Sequence, residues 1–440
     1  MRKPVSEQVT GSERYSYAGY FLGQNIFYTL ISQFLMLYYT DVLGITSVAV
    51  GTLFFIARIW DAVNDPIMGV LVDKAKLKGG KFKPWVNIGI FSMPISTALV
   101  FIQIDGSMST KILYAYLTYI LWDMLYTMSD VPIYALSTVM TKDVNERVKI
   151  ISAGRIMAFT GTLLASAATI PVVQKMGWTP GVIFLCFVGM LTMLPVKFKT
   201  YERVKEQSVS TPSIKDLFSF LFSNKYILIF NAALIVCSIT NTLMPSLNYF
   251  VKYNLGKESL ISVVTLAAML PSLVIPFLLP GLVKRFGKKR ILLTSVALFI
   301  VTSVLSYFIG YPNLAVVLIL TGIRGIGYSV PIILTGMFTV DCVEYGAYKS
   351  GHRLEGITFS AQTFTAKLTG AISGATSSFL LAFYGYKANM VQSEKALKGI
   401  FKMFTIFPVI GYVLMFLIIL FFYKLKESDV EKMMSETSYD

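Results

Sequence analysis

Three cysteines and one histidine in 440 residues leave little material for disulfide or soft-metal chemistry. Cys186, Cys237 and Cys342 all fall in apolar runs and form no CxxC or Cys/His pair. Neither a disulfide framework nor a zinc site is implied, and His352 stands alone in a polar loop. Acids are scarce as well, 24 against 39 lysines and arginines, and charged residues of both signs make up only 14% of the chain. No Walker A loop, GxSxG elbow or HExxH helix occurs, so no activated nucleophile or catalytic metal is indicated and the chain does not read as an enzyme. No cofactor is implied. The short stretch after 423 is expected to be a tail with no room for a soluble regulatory domain.

What is abundant is apolar: 55% of the residues are hydrophobic. Runs of about 20 such residues or more, enough to cross a bilayer as a helix, recur near 17–40, 48–72, 85–104, 112–140, 150–174, 178–198, 226–251, 259–283, 290–310, 312–340, 355–385 and 398–423. These predict twelve spans, an all-α membrane protein. The surplus of positive charge is positioned. Lys74, Lys76, Lys78, Lys81 and Lys83, then Lys142, Arg147 and Lys149, then Lys284, Arg285, Lys288, Lys289 and Arg290 crowd alternate loops, while 41–47 and 311–312 carry no base. By the positive-inside rule both termini lie in the cytoplasm of a multi-pass protein of the cell membrane. Bases confined to short loops between spans do not suggest a nucleic-acid partner, and no obligate protein partner is implied. Residues 1–16 are polar and lack a cleavage site before the first run, so that helix is expected to stay.

The second run contains Arg58-Ile59-Trp60-Asp61-Ala62-Val63-Asn64-Asp65-Pro66. Asp61 and Asp65 are four apart, on one helical face and about 6 Å apart along the axis, with Asn64 beside them. A carboxylate at the centre of a membrane helix costs roughly 2.5–3.5 kcal/mol, so the pair should face a bundle interior or a wet cavity. Such a face can hold a cation; neutralisation by Arg58 for packing alone is the plain alternative. The fourth run carries a second polar stripe, Asp123, Thr127 and Asp130, and from the outer starts of the two helices Asp65 and Asp130 both lie roughly 27 Å down. The two stripes can share one layer. Oxygen-only ligands suit a hard cation, and two close carboxylates can equally share a proton, so Na+ and H+ both fit.

Further polar groups lie in other spans. Gln24 and Asn25 interrupt the first run, and Arg155 stands early in the fifth, where its planar fork suits a diol, a carboxylate or an ion pair with Asp130. Gln362, Thr363 and Lys367 lie on the eleventh. A lysine at that depth needs a partner, either Asp123, Asp130 or a bound substrate. Gly370 and Gly374 fit a face of close helix approach. Asp341, Glu344, Arg353 and Glu355 gather at the inner ends of spans ten and eleven, where with Arg147 they could form an ionic gate or simply be solvated loop charges. Residues 199–224 are the longest polar stretch between spans and read as a linker, with an amphipathic piece at 214–221. The chain then divides into a six-helix half at 1–198, the linker, a second half at 225–423 and a cytoplasmic tail at 424–440. A lysine-rich loop follows both the second and the eighth span, consistent with parallel repeats of the major facilitator fold.

Taken together, Tyr38-Tyr39-Thr40-Asp41, the Arg58–Pro66 stretch, Gly80-Lys81-Phe82-Lys83-Pro84-Trp85, Asp130-Val131-Pro132 and Asp341-Cys342-Val343-Glu344-Tyr345-Gly346-Ala347-Tyr348-Lys349 resemble the glycoside-pentoside-hexuronide:cation symporters, the major facilitator group typified by melibiose permease. The resemblance covers nearly the whole chain. It implies cation-coupled import of a glycoside by alternating access. It also implies a Na+ or H+ site at Asp61, Asn64, Asp65 and Thr127, and a sugar site at Gln24, Asn25, Tyr126, Asp130, Tyr134, Arg155 and Lys367. The chain departs from melibiose permease at Gln24, Asn25 and Tyr134, where that relative has lysine, aspartate and tryptophan, which argues against assuming α-galactosides. Asp123, where it has glycine, could replace the missing acid or alter ion preference. A carrier of an amphipathic lipid or drug, and a membrane sugar sensor that does not transport, are the rival readings.

Overall fold

The computed structural model describes residues 9–74, 79–141, 143–203, 224–350 and 355–436. Within its helices the side chains at 58–59, 61–63, 65–67, 69–70, 73–74, 144–145, 148, 350, 355–357, 359–360, 363 and 434–435 lie outside the described set. The chain forms two compact units, Met1–Val209 and Ser210–Asp440.

The first unit contains α1 (Gly11–Thr29), prolonged through two π-turns at Leu30–Phe34 and Tyr38–Val42 around the short α2 (Leu35–Leu37). Then come α3 (Ser47–Lys74), α4 (Lys83–Val100), α5 (Met108–Met140), α6 (Val144–Met176) and α7 (Trp178–Lys199). The second unit contains α8 (Lys225–Thr240), α9 (Leu243–Tyr249) with a π-turn at Phe250–Asn254, α10 (Ile261–Phe286), α11 (Lys288–Ile309) and α12 (Leu314–Ser350). It ends with α13 (Glu355–Phe383), α14 (Glu394–Thr405), α15 (Phe407–Phe422) and the short α16 (Glu427–Glu436). Among the described residues, seven helical segments are long and apolar enough to cross a membrane. The helices with Gln24 and Asn25 (α1) and with Asp123 and Asp130 (α5) are not among the seven, because polar side chains lower their hydropathy.

The units repeat one packing scheme. In the first, α1 lies on α6 and α7, α5 lies on α3 and α4, and α4 also touches α7. In the second, α8 lies on α13 and α15, α12 lies on α10 and α11, and α11 also touches α15. A local signature repeats with it. The π-turn 38–42 runs into Leu43-Gly44 and the π-turn 250–254 into Leu255-Gly256, with Leu43 N–H donating to Tyr38 O at 3.0 Å and Leu255 N–H to Phe250 O at 3.1 Å. Gly44 and Gly256 take φ of +73° and +66°, values that favour glycine, so each unit ends its first rod with the same left-handed stop.

Close packing of α1 rests on glycine. A methyl at Gly23 would meet Gly189 O of α7 at 2.2 Å, and one at Gly161 of α6 would meet Leu22 O at 2.3 Å. Of the glycines expected on a close-approach face, Gly370 has nothing among the described residues within 4 Å of a methyl built there.

The start of α1 also differs from the sequence expectation, which left residues 11–16 outside the helix. Thr10 and Glu13 form a capping box. Glu13, only 2% exposed, is held by both guanidinium nitrogens of Arg203, at 2.7 and 2.8 Å, so an acid that looked solvated is buried and neutralised. The stretch just after α7 is part of the same joint. The Glu202 carboxylate accepts from the N–H groups of Lys81, Phe82 and Lys83 at 2.7–2.8 Å and caps the start of α4. The second unit uses Glu427 in the same way, accepting from Lys288 N–H at 2.6 Å at the start of α11. Burial pushes the Lys83 ammonium below the ordinary lysine value, with Glu202 and Glu13 acting against it.

Candidate functional site

On the first unit, α5 carries one polar wall and its neighbours aim side chains at it. Trp122 Nε1 donates to Thr97 Oγ1 of α4 at 3.0 Å, which fixes the rotation of α5. Tyr20 of α1 and Ser129 of α5 share a short buried hydrogen bond. Between these anchors Gln24, 1% exposed, donates to Asp130 Oδ1 at 2.7 Å. Asn25 is half-buried, and its amide donates to Phe21 O of its own helix at 2.8 Å.

Aromatic rings line the same wall. Tyr126 packs at a tilt against Tyr28 at 5.7 Å and Trp122 at 5.1 Å, and Tyr134 meets Phe21 edge-on at 5.0 Å. The Tyr134 hydroxyl is within electrostatic reach of both Asp130 and Arg155, and the Tyr126 hydroxyl within reach of Asp130 and Tyr28. Arg155 on α6 is exposed. The structure therefore brings Gln24, Tyr126, Asp130, Tyr134 and Arg155 together, with amide, phenol, carboxylate and guanidinium groups on one surface. Sequence reasoning missed Tyr28, whose exposed ring adds to this surface; its spacing from Gln24, one turn along α1, was the available signal.

The expected cation site lies one helix away. Thr127 and Asp123 are buried on α5, and α3 packs against that helix. Asn64 on α3 is 2% exposed, and among the described residues its Nδ2 has no hydrogen-bond partner. A buried amide end left unmatched is expensive. The side chains of Asp61, Asp65 and Arg58 lie outside the described residues.

In the second unit, Lys367 and Gln362 are half-buried on α13, and among the described residues the buried Gln362 Oε1 has no partner. The Thr363 side chain is outside the described residues. Of the expected gate residues, Asp341 pairs with Lys288 of α11, and Glu344 is 2% exposed. Arg147 donates to Thr138 O and Thr141 O at 3.3 and 3.2 Å, closing the carbonyl end of α5. Arg353 and the Glu355 side chain lie outside the described residues. Near the same end of the first unit, Glu146 accepts from Lys149 and Arg14, and these cations hold its carboxyl below the usual range. Among the described residues, no group of three or more His, Cys, Asp and Glu could hold a metal.

The model of the family described as MFS/sugar transport protein matches residues 16–427. The chain belongs to that family. It is a multi-pass membrane transporter of the major facilitator fold, and not an enzyme. Among similar proteins are the "Glucuronide carrier protein homolog" of Escherichia coli, 31% identical over 95% of this chain and 94% of that one. The "Isoprimeverose transporter" of Lactiplantibacillus pentosus is also 31% identical, over 94% of this chain and 89% of that one. The "Putative glycoside/cation symporter YagG" of Escherichia coli is 30% identical over 94% and 92%. Solved structures with the same fold include the nucleoside transporter NupG, at a TM-score of 0.65 and 16% identity over 95% of this chain and all of that one. A bacterial homolog of the lysosomal transporter Spinster follows, at 0.63 and 12% identity over 94% and 96%.

Proposed function

We propose that this transporter imports a glycoside or short oligosaccharide across the cell membrane together with Na+ or H+. Gln24, Asn25, Tyr126, Asp130, Tyr134 and Arg155 would hold the sugar. The observation that carries this reading is the 2.7 Å bond from Gln24 to Asp130 beside exposed Arg155 and the Tyr28–Tyr126 pair. A carboxylate and a guanidinium suit the hydroxyls of a sugar ring, and an aromatic face suits its C–H side. The names of the relatives, which include a glucuronide carrier, an isoprimeverose transporter and a glycoside/cation symporter, point to the same substrate class.

The cation would sit at Asp61, Asn64, Asp65 and Thr127, with Asp123 one turn along α5. The buried, unmatched amide of Asn64 supports this, since turning that amide about its axis offers Oδ1 to an ion in the same place. Occupation of the cation site would favour sugar binding, and the reciprocal effect couples the two fluxes. The lysine-rich loops argue for cytoplasmic termini and for the domain division at 199–224. Asp341, Glu344, Arg353 and Glu355, with Arg147, would then lie on the cytoplasmic side as gate charges.

The test is uptake of labelled glycosides, glycosidic acids and pentosides into vesicles containing the purified protein, under a Na+ gradient or a pH gradient. Accumulation driven by one gradient supports symport and names the ion. Equal counterflow without gradient-driven accumulation would reduce the reading to a facilitator.

A further inference from the structure

Arg324 lies on α12, ten residues in from its start at Leu314, and is 1% exposed. One nitrogen of its guanidinium donates to Phe404 O at 2.7 Å, another points to Thr321 Oγ1 at 3.4 Å, and the group rests 4.2 Å from the centre of the Phe404 ring. The Phe404 carbonyl needs this donor, because the residue four positions on is Pro408, which has no N–H. Among the described residues Arg324 forms no ion pair, and its Nε–H is buried without a partner. A ring face and one carbonyl offset only part of a full charge held this deep in a membrane protein.

A small, half-open crevice lies beside the guanidinium, lined by Phe250, Leu320, Thr321, Phe401, Phe404 and the Ser306 turn of α11. It has room for about one small occupant. Arg324 and Thr321 both line it; among the described residues the Arg324 Nε–H has no partner, and the Thr321 hydroxyl oxygen faces the same guanidinium. Ser306 Oγ and Thr405 Oγ1 donate instead to carbonyls of their own helices. A small occupant beside a buried cation with one unpartnered N–H, among mostly apolar walls, is best met by an acceptor of negative charge.

We infer that the crevice beside Arg324 binds a single monatomic anion of the chloride type, separate from the sugar and cation sites. The anion completes the charge of Arg324 and so fastens α12 to the break between α14 and α15.

The test is the unfolding midpoint of the full-length protein in detergent, titrated with chloride against gluconate at constant ionic strength. A saturable rise of about 2 °C or more in chloride is expected, with bromide replacing chloride and sulfate failing. The rise should vanish in Arg324→Gln. If that variant does not fold, Ser306→Leu, which fills the crevice and leaves Arg324 in place, should also abolish it. Equal midpoints in chloride and gluconate, or an undiminished rise in either variant, would overturn the assignment.

Discussion

Gln24 donates to Asp130 at 2.7 Å and ties α1 to α5 across 106 positions of sequence. This bond places a carboxylate on the polar wall with one oxygen already oriented. A hydrogen bond to a charged group is worth about 1.5–3 kcal/mol, so Asp130→Asn should lower the apparent affinity for glycoside by about 10- to 150-fold. Gln24→Ala should cost less, about tenfold, because it disturbs the carboxylate without removing it. Transport kinetics against sugar concentration will show both; unchanged uptake in Asp130→Asn would remove it from the sugar site.

Asn64 separates a binding role from a packing role. Among the described residues its buried amide has an unmatched end, and replacing an unmatched polar group by an apolar one of similar size is nearly neutral or stabilising. Asn64→Leu should therefore leave the unfolding midpoint unchanged or raise it while abolishing cation-dependent uptake. A fall in stability together with intact cation dependence would make Asn64 a packing residue.

Glu13 and Arg203 form a buried pair 190 positions apart, with side chains 2% and 12% exposed. Removing one partner leaves the other charge uncompensated, at a cost of about 3 kcal/mol or more. Arg203→Ala should lower the unfolding midpoint clearly, and Glu13→Gln combined with Arg203→Met should recover much of it. Thermal unfolding of the single and double variants measures this coupling.

Glu202 and Glu427 repeat one task in the two units, each placing a carboxylate on the N–H groups at the start of a helix. Loss of such a cap costs about 1 kcal/mol. Glu202→Gln should be the more harmful, since Glu202 accepts three such bonds. Comparing the midpoints of the two variants tests the ranking.

Hydropathy and intramembrane charge made the helical fold and the α5 polar stripe legible from sequence. The polar character of Gln24 and Asp130 stood out because polar groups are costly in a membrane span. Local reading could not extend α1 back to Gly11, because what buries Glu13 is Arg203 on the far side of six helices. The caps were hidden for the same reason: Glu202 and Glu427 look like ordinary acids in basic stretches until the chain is folded. Arg324 was legible and overlooked, since the rule that singled out Lys367 applies equally to an arginine within the run 312–340.

Coupling between the two ligands is the centre of this account, and affinity measures it without a membrane gradient. The dissociation constant of a transported glycoside should be determined with and without the coupling cation, and that of the cation with and without glycoside. The account predicts that each ligand tightens the other by the same factor, about 5-fold or more, and that Asp65→Asn removes the effect. Sugar affinity that is independent of both Na+ and pH would contradict it.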